Sequence, residues 1–540
     1  MSLIKSPDIT STFAYLEYIE KVHEANIDTI ETAFVTQTLY LAFLMHIGYV
    51  LIEIGASRHK NWVYTVLKSL LETCIISICW YVIGFGFAFG SSVNEGIGKI
   101  FFAENQFFDN HVLYNKFMIS WAYVVISFRI ANTAVVERID LHTSSIWAFF
   151  YSMFMFPIAA HFGWNKGGWL RDLGFIDNGG AGIVVLMGIS SGLGAYIFIG
   201  KRENRDAEER RADFRVSNYP YIAFGAIIIW FTRFGFNASS LYFSNILDGT
   251  TAINWAIYIG RISLVTTLAP AIGGGLALFF YWIFSRGSDN QYSVIHLSNG
   301  IIMGALAVSG TPEMFYGWGG IIIGALCVPI YFLYAWVLNK CIDDPINAIA
   351  ANLTAGSWGL IAVGFLNKTY GAVFSEGGMQ FGYQLLGMVI YCGWPLGWTL
   401  IIFGILRLLN AHKLRPELQN SGVDIAKCGG LAYSYDEVSA RELANQLAGY
   451  TSYSTDRNNY TTEKNDKTEK SGREDASRRE EGSRREDDEK ERIEREDIEA
   501  ERRRQDEIEA ERERQRNEEN ENERNDVNNK SNEKDGLNVL

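Results

Sequence analysis

Eleven long apolar segments fill most of the first 407 residues of this chain, and they restrict its fold more than any other feature. A stretch of about 18 or more apolar residues with few charges can cross a lipid bilayer as a helix. Because the bilayer core offers no water to backbone amides, a crossing segment has to satisfy them internally, as a helix does. The segments cover residues 31–54, 61–90, 112–134, 142–163, 180–200, 217–240, 252–284, 294–309, 316–338, 346–366 and 382–407. They predict an all-α membrane protein with eleven transmembrane helices and a membrane domain at 31–407.

Basic residues are distributed unequally between alternate connections of these segments. Membrane proteins concentrate Lys and Arg in their short cytoplasmic loops. The richer set of connections contains Arg58, Lys60, Arg138, Lys201, Arg202, Arg205, Arg210, Arg211, Arg215, Arg286 and Lys340. Assigning this set to the cytoplasm makes residues 1–30 an extracellular N-terminal segment and puts the C-terminus inside. The plasma membrane is the expected location.

The end of the chain differs in composition from the membrane segments. Residues 434–540 are mostly polar and charged, so they cannot bury a core, and we expect them to be largely disordered. Glu and Arg three or four residues apart at 485–518 favour a lone charged helix, with a coiled coil as the alternative. Acidic residues balance the arginines, which argues against a nucleic-acid partner. Residues 408–433, between the two regions, have the composition of a short ordered cytoplasmic segment.

Two aspartates recur at the same place relative to an apolar segment. Asp177 lies eight residues before Val185, and Asp344 lies eight residues before Asn352. Ionisable groups are expensive at membrane depth, so those that remain mark a cap, a site or a route. Both aspartates are placed to cap a helix, and Pro345 is typical of a first helical turn. The equal spacing indicates two inverted five-helix repeats followed by an eleventh helix.

Short aromatic and glycine-rich motifs follow one another along the chain. They are His-Phe-Gly-Trp at 161–164, Gly-Trp-Leu at 168–170, Asp177, Phe-Gly-Phe-Asn-Ala-Ser-Ser at 234–240, Asp-Asp-Pro at 343–345 and Gly-Val-Asp at 422–424. In this order, together with the predicted helices, they resemble the ammonium transporter family (Amt/Mep/Rh). The resemblance runs from about residue 35 to 433.

The resemblance implies a homotrimer in which each protomer has its own narrow hydrophobic pore for ammonium or methylammonium. Trp164 and Ser240 match the family's outer recruitment site. An indole face attracts a small cation, and a hydroxyl oxygen can accept one of its protons. Phe236 and Tyr123 match the two stacked gate rings, Tyr123 through its spacing of fourteen residues before Glu137. The family usually has Phe in place of Tyr123, whose hydroxyl needs a partner.

Two features depart from the family pattern in the predicted pore. The family's twin pore histidines are replaced by Val185 and Asn352, neither of which can titrate near neutral pH as histidine does. Arg233 stands where the family commonly has Trp. It either snorkels or pairs with an acid, or it faces the pathway and repels cations. Arg129 and Arg261, inside other predicted helices, leave the same choice open.

These features predict an ammonium transporter or channel that works without the histidine pair. One alternative is a transport-poor ammonium sensor or trimer subunit that signals through its tail, and another is a channel for methylamine or carbon dioxide. We expect no enzyme activity, because no nucleophile–base arrangement occurs. We expect neither a cofactor nor a metal site, because the six Cys and eight His show no ligand spacing.

Overall fold

The computed structural model describes residues 12–93, 95–108, 110–207, 214–243, 252–286, 291–375, 378–430 and 432. The chain divides into two compact units, Met1–Leu443 and Ala444–Leu540. The second unit lies outside the described residues, and so does the charged helix predicted at 485–518.

The described residues form helices. The α-helices are α1 (Thr12–Ala56), α2 (Trp62–Cys79), α3 (Phe85–Phe89), α4 (His111–Thr133), α5 (Leu141–Phe150), α6 (Phe156–Trp164), α7 (Trp169–Asp172), α8 (Met187–Ile199), α9 (Tyr219–Ala238), α10 (Ala252–Phe284), α11 (Val294–Ala307), α12 (Gly317–Leu338), α13 (Ala348–Leu366), α14 (Met379–Leu408), α15 (Pro416–Ser421) and α16 (Val423–Lys427). Three π-helical turns connect these helices. The turn Trp80–Gly84 joins α2 to α3, and the turn Tyr151–Met155 joins α5 to α6. The turn Ala181–Leu186 leads into α8. The β pairing found in these residues is a single bridge between Ser92 and Gly98.

Nine helical stretches of the described chain are long and apolar enough to cross a membrane. The two other predicted segments coincide with α4 and α11. The first carries the polar residues Asn115, Lys116 and Arg129, and the second is only 14 residues long. The protein is therefore an all-helical, multi-pass membrane protein as far as it is described, while the count of eleven crossings stays a prediction.

The first helix is longer than the hydropathy pattern predicts. α1 begins at Thr12 rather than near residue 31, so the predicted N-terminal segment is helical from that residue onward. Neither Gly nor Pro interrupts residues 12–47, and Lys21 pairs with Glu17 one turn away at 2.7 Å. Hydropathy identifies where lipid begins, but helix propensity decides where the helix begins.

Small residues let the central helices approach closely. A Cβ added at Gly192 on α8 would lie 2.5 Å from the carbonyl oxygen of Ala131 on α4. A Cβ at Gly273 on α10 would meet the carbonyl oxygen of Gly300 on α11 at the same distance. Interfaces between membrane helices favour such residues because they allow backbones to touch. The first contact holds α4, which carries Tyr123, beside α8, and the second holds α10 beside α11.

A buried ionic cluster joins the loops that we assign to the cytoplasm. Glu137 accepts hydrogen bonds from Nδ2 of Asn61 at 2.8 Å, from Nε of Arg58 at 3.1 Å and from Nη1 of Arg202 at 3.3 Å. Arg202 also donates its Nε to Asp343 at 2.8 Å. Burial would raise the pKa of Glu137, but the guanidiniums of Arg58 and Arg202 outweigh burial and hold that pKa below its ordinary value.

The segment after α14 folds back onto these loops. Leu414, Leu418 and Val423 pack against Tyr64. The Asp424 carboxylate accepts hydrogen bonds from the amides of Val63 and Tyr64 at 2.9 and 2.8 Å, at the start of α2. The part of residues 408–433 that the structure describes is therefore folded against the membrane unit.

Candidate functional site

Four buried aromatic rings form a continuous row inside the bundle. The rings of Tyr123 on α4 and Phe236 on α9 stack with centroids 4.1 Å apart and planes 18° from parallel. Trp164, at the end of α6, stacks on Phe243 with centroids 4.5 Å apart, and its centroid lies 5.5 Å from that of Tyr123. The structure thus brings together three residues that the sequence predicts for one site, although they come from three different helices.

Phe243 is a member of this row that the sequence motifs do not reveal. It ends the 3₁₀ turn Ser239–Phe243, which follows α9, and it contacts both Trp164 and Tyr123. Its position seven residues after Phe236 was the available signal, because residues two helical turns apart share a face.

The hydroxyl of Tyr123 has the partners that a buried phenol requires. It donates to the carbonyl oxygen of Phe236 at 3.0 Å or shares a hydrogen bond with Oγ of Ser239 at 2.7 Å. The hydroxyl therefore ties α4 to the end of α9 and fixes the ring against Phe236.

Two hydrogen bonds orient the indole of Trp164. Its Nε1 donates to the carbonyl oxygen of Asp177 at 2.6 Å, and its own carbonyl accepts from Arg171. A Cβ added at Gly180 would lie 3.4 Å from the indole, and one at Gly179 would lie 3.4 Å from Cβ of Ser240. The Gly179–Gly180 turn therefore lies between the two predicted recruitment residues.

A buried carboxylate stands behind Ser240. The Ser240 hydroxyl donates to Oε2 of Glu313 at 3.2 Å, and Nδ2 of Asn178 donates to Oε1 at 2.5 Å. Glu313 is fully buried in a short 3₁₀ turn after α11. The sequence motifs did not include it, and its adjacency to Ser240 arises only from the fold. It places a buried carboxyl group directly behind one of the two predicted recruitment residues.

Asp177 and Asp344 hold corresponding positions. The Asp177 carboxylate accepts from the amides of Ala181, Gly182 and Ile183 at 2.7, 2.9 and 2.8 Å. It lies four residues before its π turn begins at Ala181. Gly180, in between, has a φ of 80°, which favours glycine.

Asp344 likewise lies four residues before α13 begins at Ala348. It accepts from the amide of Ile349 at 2.7 Å and from that of Ile346 at 3.3 Å. The expectation that Pro345 occupies the first helical turn is wrong. Asn347, with a φ of 54°, intervenes as the N-cap, so the helix starts three residues after the proline.

Val185 and Asn352 are both buried inside the bundle. Val185 lies in the π turn, with its amide bonded to the carbonyl of Gly180 at 3.1 Å. Asn352 donates its Nδ2 to the carbonyl oxygen of Ala348 at 2.9 Å, and its Oδ1 has no partner among the described residues. Their segments pack tightly, since a Cβ at Gly356 would lie 2.7 Å from Leu186. These positions thus offer one unused amide oxygen and no titratable group.

Arg233 neither snorkels nor pairs with an acid. It is fully buried, and its guanidinium carbon lies 4.1 Å from the centroid of the Phe236 ring. Its Nη1 donates to Oγ of Ser309 at 2.9 Å, and Ser309 in turn donates to Asn237 at 2.8 Å. The Tyr49 hydroxyl is a further polar neighbour. No ion pair of the described chain includes Arg233.

Arg129 pairs with acids, as one of the two expectations holds, whereas Arg261 contacts a ring. Arg129 forms ion pairs with Glu72 and, at 3.9 Å, with Glu53, all inside the bundle. The Arg261 guanidinium lies 5.6 Å from the centroid of the Tyr316 ring. Of these three arginines, Arg233 is therefore the one that lies beside the predicted gate ring of Phe236.

The fold and the site define a multi-pass helical membrane protein with a row of aromatic rings buried in its bundle. The chain belongs to the ammonium transporter family: the model described as Ammonium Transporter Family matches residues 33–433. Families of this kind comprise transporters and channels rather than enzymes, and the substrate of this family is ammonium.

Curated relatives agree over most of their length. Ammonium transporter 3 of Dictyostelium discoideum is 29% identical over 424 residues, which cover 75% of this chain and 94% of that protein. Ammonium transporter 1 member 3 of Solanum lycopersicum is 28% identical over 457 residues, covering 77% and 95%.

Solved structures show the same fold. A protein called Sensor Amt Protein is 28% identical with a TM-score of 0.65, covering 75% of this chain and 99% of its own. Mep2 of Candida albicans, at 20% identity, has a TM-score of 0.60 and covers 71% and 85%, so it supports the fold alone.

Proposed function

We propose that this protein is an ammonium transporter or channel that recruits ammonium at the outer aromatic site and lacks a histidine relay below it. The row of Trp164, Phe243, Tyr123 and Phe236 carries the proposal. A desolvated cation over an aromatic face gains about 2 kcal/mol. Ammonium, with four donors and no acceptor, suits such faces together with the Ser240 oxygen.

The electrostatics of the outer end support recruitment. Glu313 and Asp177 are both buried near the rings, and in its ionised form either carboxylate attracts a cation into a region of low dielectric constant. Asp177 acts mainly as a helix cap, because its oxygens already accept three backbone amides. Glu313 acts through Ser240, whose proton it accepts, so the hydroxyl oxygen points its lone pairs elsewhere.

The inner end favours a neutral species. A unit charge about 5 Å from an unpaired guanidinium, at an effective dielectric constant of about 20, is repelled by about 3 kcal/mol. Arg233 therefore opposes a cation beside Phe236, whereas neutral ammonia meets no such barrier. Val185 and Asn352 offer no group that could take up a proton there.

The architecture that we propose has eleven crossings, with the N-terminus outside and the C-terminus in the cytoplasm of a plasma-membrane homotrimer. Two inverted five-helix repeats are supported by Asp177 and Asp344, each four residues before a helical segment. Each protomer would contain its own passage, since the aromatic row is complete within one chain.

An ammonium sensor is the second candidate. Arg233, unpaired beside Phe236, is the observation that favours it, because it allows binding above the ring and hinders passage below. The 28% identity to a protein called Sensor Amt Protein points in the same direction. In this case the C-terminal tail would transmit the signal.

Growth of yeast lacking its own ammonium uptake tests the proposal. Cells given this chain are expected to grow on low ammonium, and cells given Trp164→Leu are expected to grow poorly. Surface expression is measured in both. Normal expression without growth would reject transport; retained ammonium binding would then favour the sensor. Flux of carbon dioxide or methylamine alone would reject both.

A further inference from the structure

Lys116 places a primary ammonium group beside the aromatic row. Its side chain is half-buried on α4, and its Nζ lies 4.3 Å from the centroid of the Phe89 ring. No carboxylate of the described residues pairs with it, so the face of this ring is the partner that the fold provides.

Phe89 continues the row of recruitment rings. Its ring stacks on Phe243 with centroids 5.9 Å apart and planes 27° from parallel, and Phe243 stacks on Trp164. The lysine ammonium therefore rests on the outermost of three successive rings, of which the innermost is the predicted recruitment residue.

The register of α4 places Lys116 above the gate. Lys116 lies seven residues before Tyr123, so the two side chains share one face of the helix. At 1.5 Å per residue, their backbones are about 10 Å apart along the axis. Lys116 therefore lies on the same side of α4 as the Tyr123 ring, toward the predicted outer end.

Two further basic residues lie near Lys116. Lys166 and Arg171, in the segment after Trp164, are close enough to act on its charge. Arg171 is held there by its hydrogen bond to the Trp164 carbonyl.

We propose that Lys116 is a tethered competitor that sets the affinity of the outer site for ammonium. In its protonated form the Nζ makes the same cation–π contact that free ammonium would make, and the charge of that form repels a second cation on the neighbouring rings. This inference rests on the proposed function, and it identifies a residue that limits recruitment rather than one that performs it. A snorkelling lysine at a helix end would have no such effect.

The repulsion between the Lys116 charge and a cation bound on the neighbouring rings, in a partly solvated entrance, corresponds to about a tenfold change in the affinity for that cation. Removing the charge is therefore expected to tighten binding of methylammonium about tenfold. Lys116→Arg keeps the positive charge on a side chain of different geometry. This variant is expected to bind methylammonium with an affinity within about twofold of the unmodified protein.

Equilibrium binding of methylammonium to the full chain in lipid nanodiscs tests this inference, because binding is measured whether or not the protein transports. Lys116→Met and Lys116→Gln remove the charge, and Lys116→Arg retains it. Lys99→Met is the matched control, since Lys99 is an exposed residue of the same predicted outer side. Ionic strength is held constant with sodium chloride.

Tighter binding by Lys116→Met and Lys116→Gln, but not by Lys116→Arg or Lys99→Met, would support a tethered competitor. Added butylammonium should then restore competition in Lys116→Met. Affinity that stays the same in both neutral variants, or that rises equally in Lys99→Met, would overturn the inference. In that case weaker binding by Trp164→Leu would show that the proposed recruitment site still stands, and its absence would reject both.

Discussion

The outer and inner halves of the proposed passage differ in how completely their polar groups are satisfied. In the outer half, the hydroxyl of Tyr123, the indole nitrogen of Trp164 and the hydroxyl of Ser240 all have hydrogen-bond partners. In the inner half, Asn352 has an unpartnered oxygen and Arg233 has no counter-charge among the described residues. The proposed recruitment site is therefore preorganised, while the proposed route beyond it is not. This is the arrangement expected of a protein that recognises ammonium without conducting it fast.

The two buried arginines, Arg129 and Arg233, differ in the same way, because only one of them has a counter-charge in the part of the chain that the structure describes. Arg129 pairs with Glu72 and Glu53 between α1, α2 and α4, so its charge is neutralised where helices pack. Arg233 lies beside a gate ring with only neutral partners. A buried charge without a counter-charge is expensive, so we infer that Arg233 has a functional role.

Neutralising Arg233 should have the largest effect on the difference between the two halves. Arg233→Met keeps a long side chain and removes the charge, so methylammonium current in vesicles should rise on the order of a hundredfold, the equivalent of about 3 kcal/mol. Arg129→Met is the control. It leaves Glu72 buried and unpaired, which costs about 3–5 kcal/mol, and should yield little folded protein. A well-folded Arg233→Met protein with unchanged current would contradict this view of the inner half.

Removing the indole should weaken the outer half. Trp164→Leu loses a cation–π contact of about 2 kcal/mol, so half-saturation by ammonium should need about thirtyfold more substrate. Trp169→Leu, in the same loop, serves as the control, because Trp169 contacts Phe162 rather than the row. Equal shifts in the two variants would show that the row has no special role.

The helix caps of the two halves should differ in strength. Asp177 accepts from three amides and Asp344 from two, so Asp177→Ala should lower the free energy of unfolding by about 2 kcal/mol and Asp344→Ala by about 1 kcal/mol. Thermal unfolding in detergent measures both. A larger loss for Asp344→Ala would reverse the expected order.

Restoring the histidines alone should change little. Val185→His combined with Asn352→His supplies titratable groups, but the charge of Arg233 still limits passage, so flux should change less than about twofold. Adding Arg233→Met to this pair should raise flux beyond Arg233→Met alone. A large gain from the histidines by themselves would show that the missing relay, not the arginine, is the limiting feature.

Local patterns in the sequence predict the helices and much of the aromatic site. Nine of the eleven predicted segments meet the length and hydropathy of a membrane span, because apolar length reports lipid contact directly. Tyr123, Trp164 and Phe236 lie close together in space, while the roles assigned to them stay a prediction. Phe243, Glu313 and Lys116 escape such reasoning, because their roles depend on contacts between distant segments.

The start of α13 shows a second limit of sequence reasoning. The Asp344-Pro345 pair is a strong local signal for a helix, yet Asn347 takes a left-handed conformation and delays the start to Ala348. Propensity indicates that a helix begins nearby, but the loop that brings its first turn into register is fixed by tertiary contacts.

The π turn Ala181–Leu186 limits which sequence changes this segment can accept. In it the Val185 amide reaches back five residues to Gly180, so the turn holds one residue more than an α-helix would at that place. Deleting a single residue would relax the turn to α geometry and rotate the preceding residues by about 100° relative to α8. Asp177 and the Gly179–Gly180 turn would then lose alignment with Trp164, so change in this segment is confined to substitution.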